Sequence, residues 1–248
     1  NGPLQDYGES NAQVDIGVWQ HWYFVYNSST SVTTIYKNGQ LDTTRTSINV
    51  GNMSTSSDLY FALVQHPSWN GYYEGLLDDV TLWDIALTES QIQSYMSTPP
   101  TGSETGLVGY WNFNEGSGTT LTDQTSNGND GTIYGATWSD DVPPTSGGNN
   151  ALSFDGVDDY VAVSGPIATF TDQISFSGWI YINNFSNYRN LLFGKWSDQE
   201  SVVSLGGSLF LGAVNDYDSN NRFSFAIELA DGSYKNVQGG TPTASTWH

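Results

Sequence analysis

The sequence predicts an all-β fold, and three observations predict it. Short runs rich in aromatic and β-branched residues alternate apolar with polar positions along the whole chain, which is the period of a half-buried strand. Gly, Ser, Thr and Asn crowd the segments between those runs, as turns require. Only one stretch has the spacing and capping of a helix.

In chain order, the clearest strand candidates are Trp22–Tyr26, Thr33–Tyr36, Leu59–Leu63, Tyr160–Val163, Ile174–Ile180 and Phe223–Ile227. Asn38-Gly39 and Asp231-Gly232 lie between such runs and suit hairpin turns, where φ must be positive. The helical candidate is Thr88–Met96, with Thr88 placed to cap its N-terminus.

The stretch Ser97–Gly106 has two prolines and no apolar period. It divides the chain into a first part, 1–98, a linker, 99–106, and a second part, 107–248. Gly17-Val18-Trp19-Gln20-His21-Trp22 resembles Ser245-Thr246-Trp247-His248, and the two Trp lie 228 positions apart (247 less 19). That distance is about one large sandwich, as a tandem array sampled out of phase would give. The abrupt ends and the lack of a visible signal peptide give the expectation of a piece cut from a longer polypeptide.

Charge narrows the function. Six Lys plus Arg against 26 Asp plus Glu give a formal net charge of −20. Nucleic acid is disfavoured as a partner because phosphate binding needs clustered cations. Membrane insertion is not expected, since no run approaches the ~20 apolar residues of a span. Crowded carboxylates repel unless a cation sits among them, which points to a divalent metal. With no cysteine, neither disulfides nor thiol chemistry are available.

Leu107–Gly118, Leu121–Thr132, Ala151–Val161 and Phe176–Ile180 resemble the opening strands of the laminin-G-like, concanavalin A-like superfamily in its bacterial form. Trp19–Tyr26, Ile35–Gln40 and Tyr73–Thr88 are similar to its central strands, last strand and closing helix. The resemblance implies a two-sheet antiparallel jelly-roll sandwich with the family's C-terminal half placed first. Two arrangements satisfy that order: a circular permutant closed within one chain, or halves completed by a neighbouring copy. The first has the higher effective concentration.

The resemblance also implies a structural calcium ion, at the matching positions Glu115, Asp123, Asn129, Asp155 and Asp79. Asx side chains also cap turns by accepting bonds from their own backbone, so each of these residues has a second reading. The pair Asp78-Asp79 is expected to split between the two faces of a strand and so cannot flank one glycosidic bond. No Glu-x-Asp-x-Glu run is present, the three His at 21, 66 and 248 lack ligand spacing, and the loop Ser204–Ser208 lacks the lysine of a phosphate loop. No catalytic residue is therefore expected.

Loop aromatics are the remaining candidates, because sugar rings stack on flat aromatic faces. They are Trp69, Tyr72 and Tyr73, in the segment Ser68–Tyr73 that also holds Asn70, and Tyr217, between Asp216 and Asp218. The expectation is a calcium-stabilised repeat module of a large secreted or cell-surface adhesin, binding a glycan or glycoprotein weakly and joined to neighbouring repeats of its own chain. A purely structural spacer and an accessory domain of a glycan-active enzyme are the alternatives.

Overall fold

The computed structural model describes residues 9–46, 58–66, 69–144, 147–165, 167, 170, 172–184, 189–195, 209–215, 222–228 and 234–237. Among these, the first part of the chain supplies β1 (Glu9–Gln13), β2 (Trp19–Asn27), β3 (Val32–Lys37), β4 (Gln40–Thr46) and β5 (Leu59–Phe61). It continues with β6 (Leu63–His66), β7 (Trp69–Tyr72), β8 (Glu74–Trp83) and the helix α1 (Glu89–Ser97). The second part supplies β9 (Leu107–Trp111), β10 (Thr120–Leu121), β11 (Gly131–Tyr134), β12 (Thr137–Ser139), β13 (Ala151–Asp155) and β14 (Tyr160–Val163). After these come β15 (Gln173–Ile182), β16 (Arg189–Lys195), β17 (Leu209–Asn215), β18 (Arg222–Glu228) and β19 (Tyr234–Val237).

Two antiparallel sheets form the sandwich. The first runs β1-β18-β17-β16-β5-β14-β11-β10, with β19 beside β18. The second runs β12-β13-β8-β15-β2-β3-β4, with β9 also against β8. β6 and β7 make a separate hairpin. Strands from the two parts of the chain thus intersperse in both large sheets, and β8 is paired along its whole length by strands from the second part. The expected adjacency of the family's first and last strands is present: Thr81 faces Tyr110 and Val80 faces Trp111.

Alternation decides which side chains are inside. On the first sheet, Leu59, Phe61, Ile133, Val161 and Val163 point into the core; on the second, Trp22, Phe24, Tyr26, Leu82, Ile174 and Phe176 do. Phe61 meets Trp111 edge to face at 5.0 Å, joining strands from the two parts of the chain. The other face of the second sheet is also covered. There Tyr23, Val25, Trp83, Leu107 and Tyr110 form a second cluster with Leu87 and Ile92 of the helical segment, and Trp83 stacks on Tyr95 at 5.0 Å.

The local signals behave as read. Asn38 and Gly39, at φ 51° and 73°, make the two-residue turn between β3 and β4. Thr88 caps α1 in a reciprocal box with Gln91. Segment 99–106 is folded down: the Glu104 carboxylate accepts from Thr101 N at 2.7 Å, Thr101 Oγ1 at 2.8 Å and Gly102 N at 3.0 Å. Its Gly102, at φ 94°, approaches Gln124 O so closely that a Cβ would stand 2.1 Å from that oxygen. Asp231-Gly232 lies outside the described residues.

Candidate functional site

The paired acids of β8 depart from the expected alternation. Leu77 and Val80 are both in the core although three positions apart, so one extra residue is accommodated between them. It is taken up as a β-bulge, where Asp79 adopts φ 48° and the pairing with β15 slips between Ser177 and Trp179. At the bulge β8 exchanges one neighbour for another, from β13 along 74–77 to β9 along 80–83.

Asp79 consequently lies beneath α1 and the segment that follows it. With His21, Tyr23, Thr81, Tyr95, Pro99, Pro100, Tyr110, Ser177 and Trp179 it lines a cavity of about 10 Å³, room for a single water. Tyr110 donates its phenolic hydrogen to Asp79 Oδ1 at 2.7 Å, while Asp79 Oδ2 and His21 Nδ1 are buried without a hydrogen-bond partner in the protein. Burial pushes the Asp79 carboxyl up to about 7, with the Tyr110 bond opposing it. Burial alone holds His21 down at about 3. Thr81 and Ser177 share a hydrogen bond of 2.7 Å, and Trp83 Nε1 donates to Thr81 Oγ1 at 2.8 Å.

The five residues expected to surround one calcium ion are not gathered. Asp123 acts as the turn cap of its own loop: Oδ1 accepts from Tyr110 N at 3.1 Å and Thr125 N at 2.9 Å, and Oδ2 from Thr125 Oγ1 at 2.8 Å and Asn129 N at 2.9 Å. Asn129 spends its amide on Val108 O at 2.9 Å. Glu115 Oε1 accepts from Thr122 N at 2.9 Å, and its Oε2 is buried without a partner. Asp155 stands opposite Glu74, whereas Tyr110, which touches both Asp79 and Asp123, stands opposite Thr81. Seven residues of extended chain separate those two positions, about 20 Å.

Asp155 has different company. Its carboxylate oxygen lies with those of Asp158 and Asp159 inside a span of 4.8 Å. Asp159 Oδ2 accepts from Asp155 N at 2.9 Å. Burial first, and then the charges of Asp155 and Asp158, raise the Asp159 carboxyl above its ordinary range. This is the one set of three metal-ligating side chains that close together among the described residues. The donors suit a hard cation, which takes the rest of its six to eight oxygens from carbonyls and water. The set of five does not suit one.

The aromatic candidates also separate. Tyr73 is wholly buried; its hydroxyl reaches Leu76 O at 3.1 Å and Tyr181 O at 2.8 Å, and its ring meets Phe154 at 6.1 Å. It is a core residue and offers no face to a ligand, because the chain turns inward where Tyr73 N bonds Ala62 O at 3.0 Å. Trp69 is in β7 opposite His66, but its side chain lies outside the described residues, as does all of Tyr217. Tyr72 is half-buried; burial first, and then the charges of Tyr134 and Tyr72, raise the Tyr160 phenol.

Tyr160 belongs to a group that sequence reasoning missed. Tyr60, Tyr134 and Tyr160 occupy the outward positions of three neighbouring strands, alternating with the core residues Phe61, Ile133 and Val161. Tyr134 stacks on Tyr160 at 4.6 Å and 15°, and Tyr60 meets Tyr160 edge on at 6.1 Å. In the adjacent row Ala162, itself buried, stands across from Tyr60, and the exposed Thr132 across from Ala162. Asp159 immediately precedes Tyr160, and Gly135, which follows Tyr134, lies against Asp159 Oδ1. The aromatic strip and the three carboxylates are therefore continuous.

Residues 1–93 match the Laminin_G_3 family model, described as the concanavalin A-like lectin/glucanases superfamily. No curated protein and no solved structure matches the chain. The match makes residues 1–93 similar to that superfamily, and the antiparallel two-sheet architecture agrees with its fold.

Proposed function

We propose that the chain is a repeat module of a large secreted or cell-surface adhesin that binds glycans or glycoproteins weakly and multivalently, without turnover. The observation that carries this reading is the union, on one lectin-type sandwich, of an outward tyrosine strip with a cluster of carboxylates. Flat rings stack on sugar faces, and carboxylates bond sugar hydroxyls. Weak single sites gain strength when modules are linked, because the second contact becomes intramolecular. The excess of 26 acids over six bases fits such a partner and opposes a polyanionic one.

Calcium belongs to the same reading, with Asp155, Asp158 and Asp159 as the residues that would hold it. The ion would relieve the mutual repulsion of that loop. A glycan array probed with and without calcium tests the proposal. Binding that falls on chelation supports it, and a blank array in both conditions leaves a structural spacer. Release of reducing sugar would return the glycan-active alternative.

A further inference from the structure

We infer that Asn127-Gly128 is a self-modification site, at which the side-chain amide is lost as ammonia and the loop that holds Asp123 is altered for good. Three Asn-Gly pairs lie among the described residues, at 38–39, 70–71 and 127–128. Glycine, with no Cβ, obstructs least the attack of its own backbone nitrogen on the preceding side chain. The fold therefore decides which of the three reacts.

Two of the pairs are held. Asn38 Oδ1 accepts from His21 N at 2.8 Å and Asn38 N donates to His21 O at 2.8 Å, so turning that side chain toward Gly39 strips a buried residue of its acceptor. Gly39 is buried as well, crowded by the side chains of Met96 and Gln93, and its carbonyl accepts from Gln93 Nε2 at 3.0 Å. Asn70 and Gly71 stand in the β6–β7 ladder opposite Gln65 and Val64, where pairing keeps the backbone extended.

Asn127 is held by a bond it can give up. It and Gly128 are exposed, Gly128 has φ 70°, and nothing stands within 4 Å of where a Cβ on Gly128 would be. Asn127 Nδ2 donates to Val108 O at 2.9 Å, but Asn129 Nδ2 donates to the same oxygen at 2.9 Å. When Asn127 turns away, the Val108 carbonyl keeps Asn129 and no buried group is orphaned.

The chemistry needs only water. The Gly128 nitrogen bonds to Cγ of Asn127 and gives up its proton; the Cγ–Nδ2 bond breaks, and ammonia departs with that proton, leaving a cyclic imide. Water then opens the imide at either carbonyl. One opening gives aspartate, whose carboxylate faces the Val108 carbonyl with no hydrogen to share. The other gives isoaspartate, which adds a methylene to the main chain. That extra group falls between Thr125 N and Asn129 N, the two backbone donors that Asp123 holds at 2.9 Å each. Asn129 O also accepts from Trp111 Nε1 at 2.9 Å, so a core side chain is anchored on the loop that changes.

The test ages the whole chain at mildly alkaline pH, folded and in urea, and maps each Asn-Gly pair by peptide mass spectrometry, with isoaspartyl methyltransferase labelling as a second readout. In the folded chain Asn127 should convert about tenfold faster than Asn38, the rate factor that one orphaned hydrogen bond commands, and ahead of Asn70. In urea the three rates should converge. Asn129→Ala, which leaves the Val108 carbonyl dependent on Asn127, should slow conversion of Asn127 about tenfold. The wild-type comparison stands whether or not that variant folds, which its melting curve reports. Aged protein should melt below fresh protein. Conversion at Asn127 no faster than at Asn38 overturns the site, the same ordering in urea overturns the role of the fold, and an unaltered melting point overturns the consequence for the loop.

Discussion

The Tyr110 hydroxyl donates to Asp79 across a buried 2.7 Å bond, and this one contact ties the first strand of the second part to the bulge of β8. Asp79 and His21 border the same cavity and titrate in opposite senses. Tyr23, Tyr95 and Tyr110 face that region with phenols raised by burial, and Asp78 and Glu104 add negative charge near Tyr110. Asp79, raised to about 7 in the fold, contributes stability that is complete below its unfolded value near 4 and is lost as pH rises through 7. His21, lowered to about 3, contributes stability that is complete above its unfolded value near 6.5 and is lost as pH falls through 3.

The two slopes cancel between about pH 4 and 6.5, so each single variant should unmask the other group. Asp79→Asn should fall in melting temperature, relative to wild type, as pH drops from 6.5 to 4. His21→Phe should fall as pH climbs from 4 to 7. Each pKa unit is worth about 1.4 kcal/mol, so the differences reach a few kcal/mol. Parallel melting curves for the variants and the parent across this range would disprove the linkage.

Tyr73→Phe removes the donor that serves Leu76 O and Tyr181 O without emptying the core. A loss of about 1–2 kcal/mol is expected in denaturant unfolding, with glycan binding unchanged. Reduced binding at unchanged stability would return Tyr73 to the ligand site.

Gly75 sits at φ 156°, and a Cβ there would come 2.1 Å from Tyr181 O, a backbone atom that cannot step aside. Gly75→Ala should therefore destabilise by about 3 kcal/mol or more. A melting point within a degree or two of wild type would show that β8 and β15 can separate locally at this position.

Calcium dependence discriminates two acidic loops. Asp123→Ala strips the turn of its cap and should lower stability by about 2–4 kcal/mol equally in calcium and in chelator. Asp159→Asn should abolish the calcium increment itself, which at a hundredfold excess over Kd is about 3 kcal/mol. If Asp123→Ala removes the increment and Asp159→Asn keeps it, the ion belongs to the other loop.

Strands, hairpin turn and capped helix were legible because alternation, Asn-Gly and the Thr88–Gln91 spacing are local signals. The adjacency of β8 and β9 was legible through the family likeness. The fate of Asp79 was not, because its orientation depends on a bulge set by the register of β15, a strand about a hundred residues later. Asp123 gave a true signal of turn chemistry, with Thr125 and Asn129 supplying the donors from within seven residues. The tyrosine strip was hidden for another reason: positions 60, 134 and 160 each read as an ordinary outward strand residue, and only long-range pairing makes them neighbours. A search for Tyr at outward positions of several strands is the signal that was available.

The segment 99–106 is the sole covalent passage between two sets of strands that alternate across both sheets. A single proteolytic cut there would leave two fragments clasped together like interlaced fingers, each holding the other's missing neighbours. Neither fragment alone would possess a closed sheet: the first would lose β9, β13 and β15, the three strands that pair with β8, and the second would lose β5 from between β14 and β16. Co-expression of 1–98 with 107–248 as separate polypeptides should then reconstitute the domain, which makes the chain a natural split reporter.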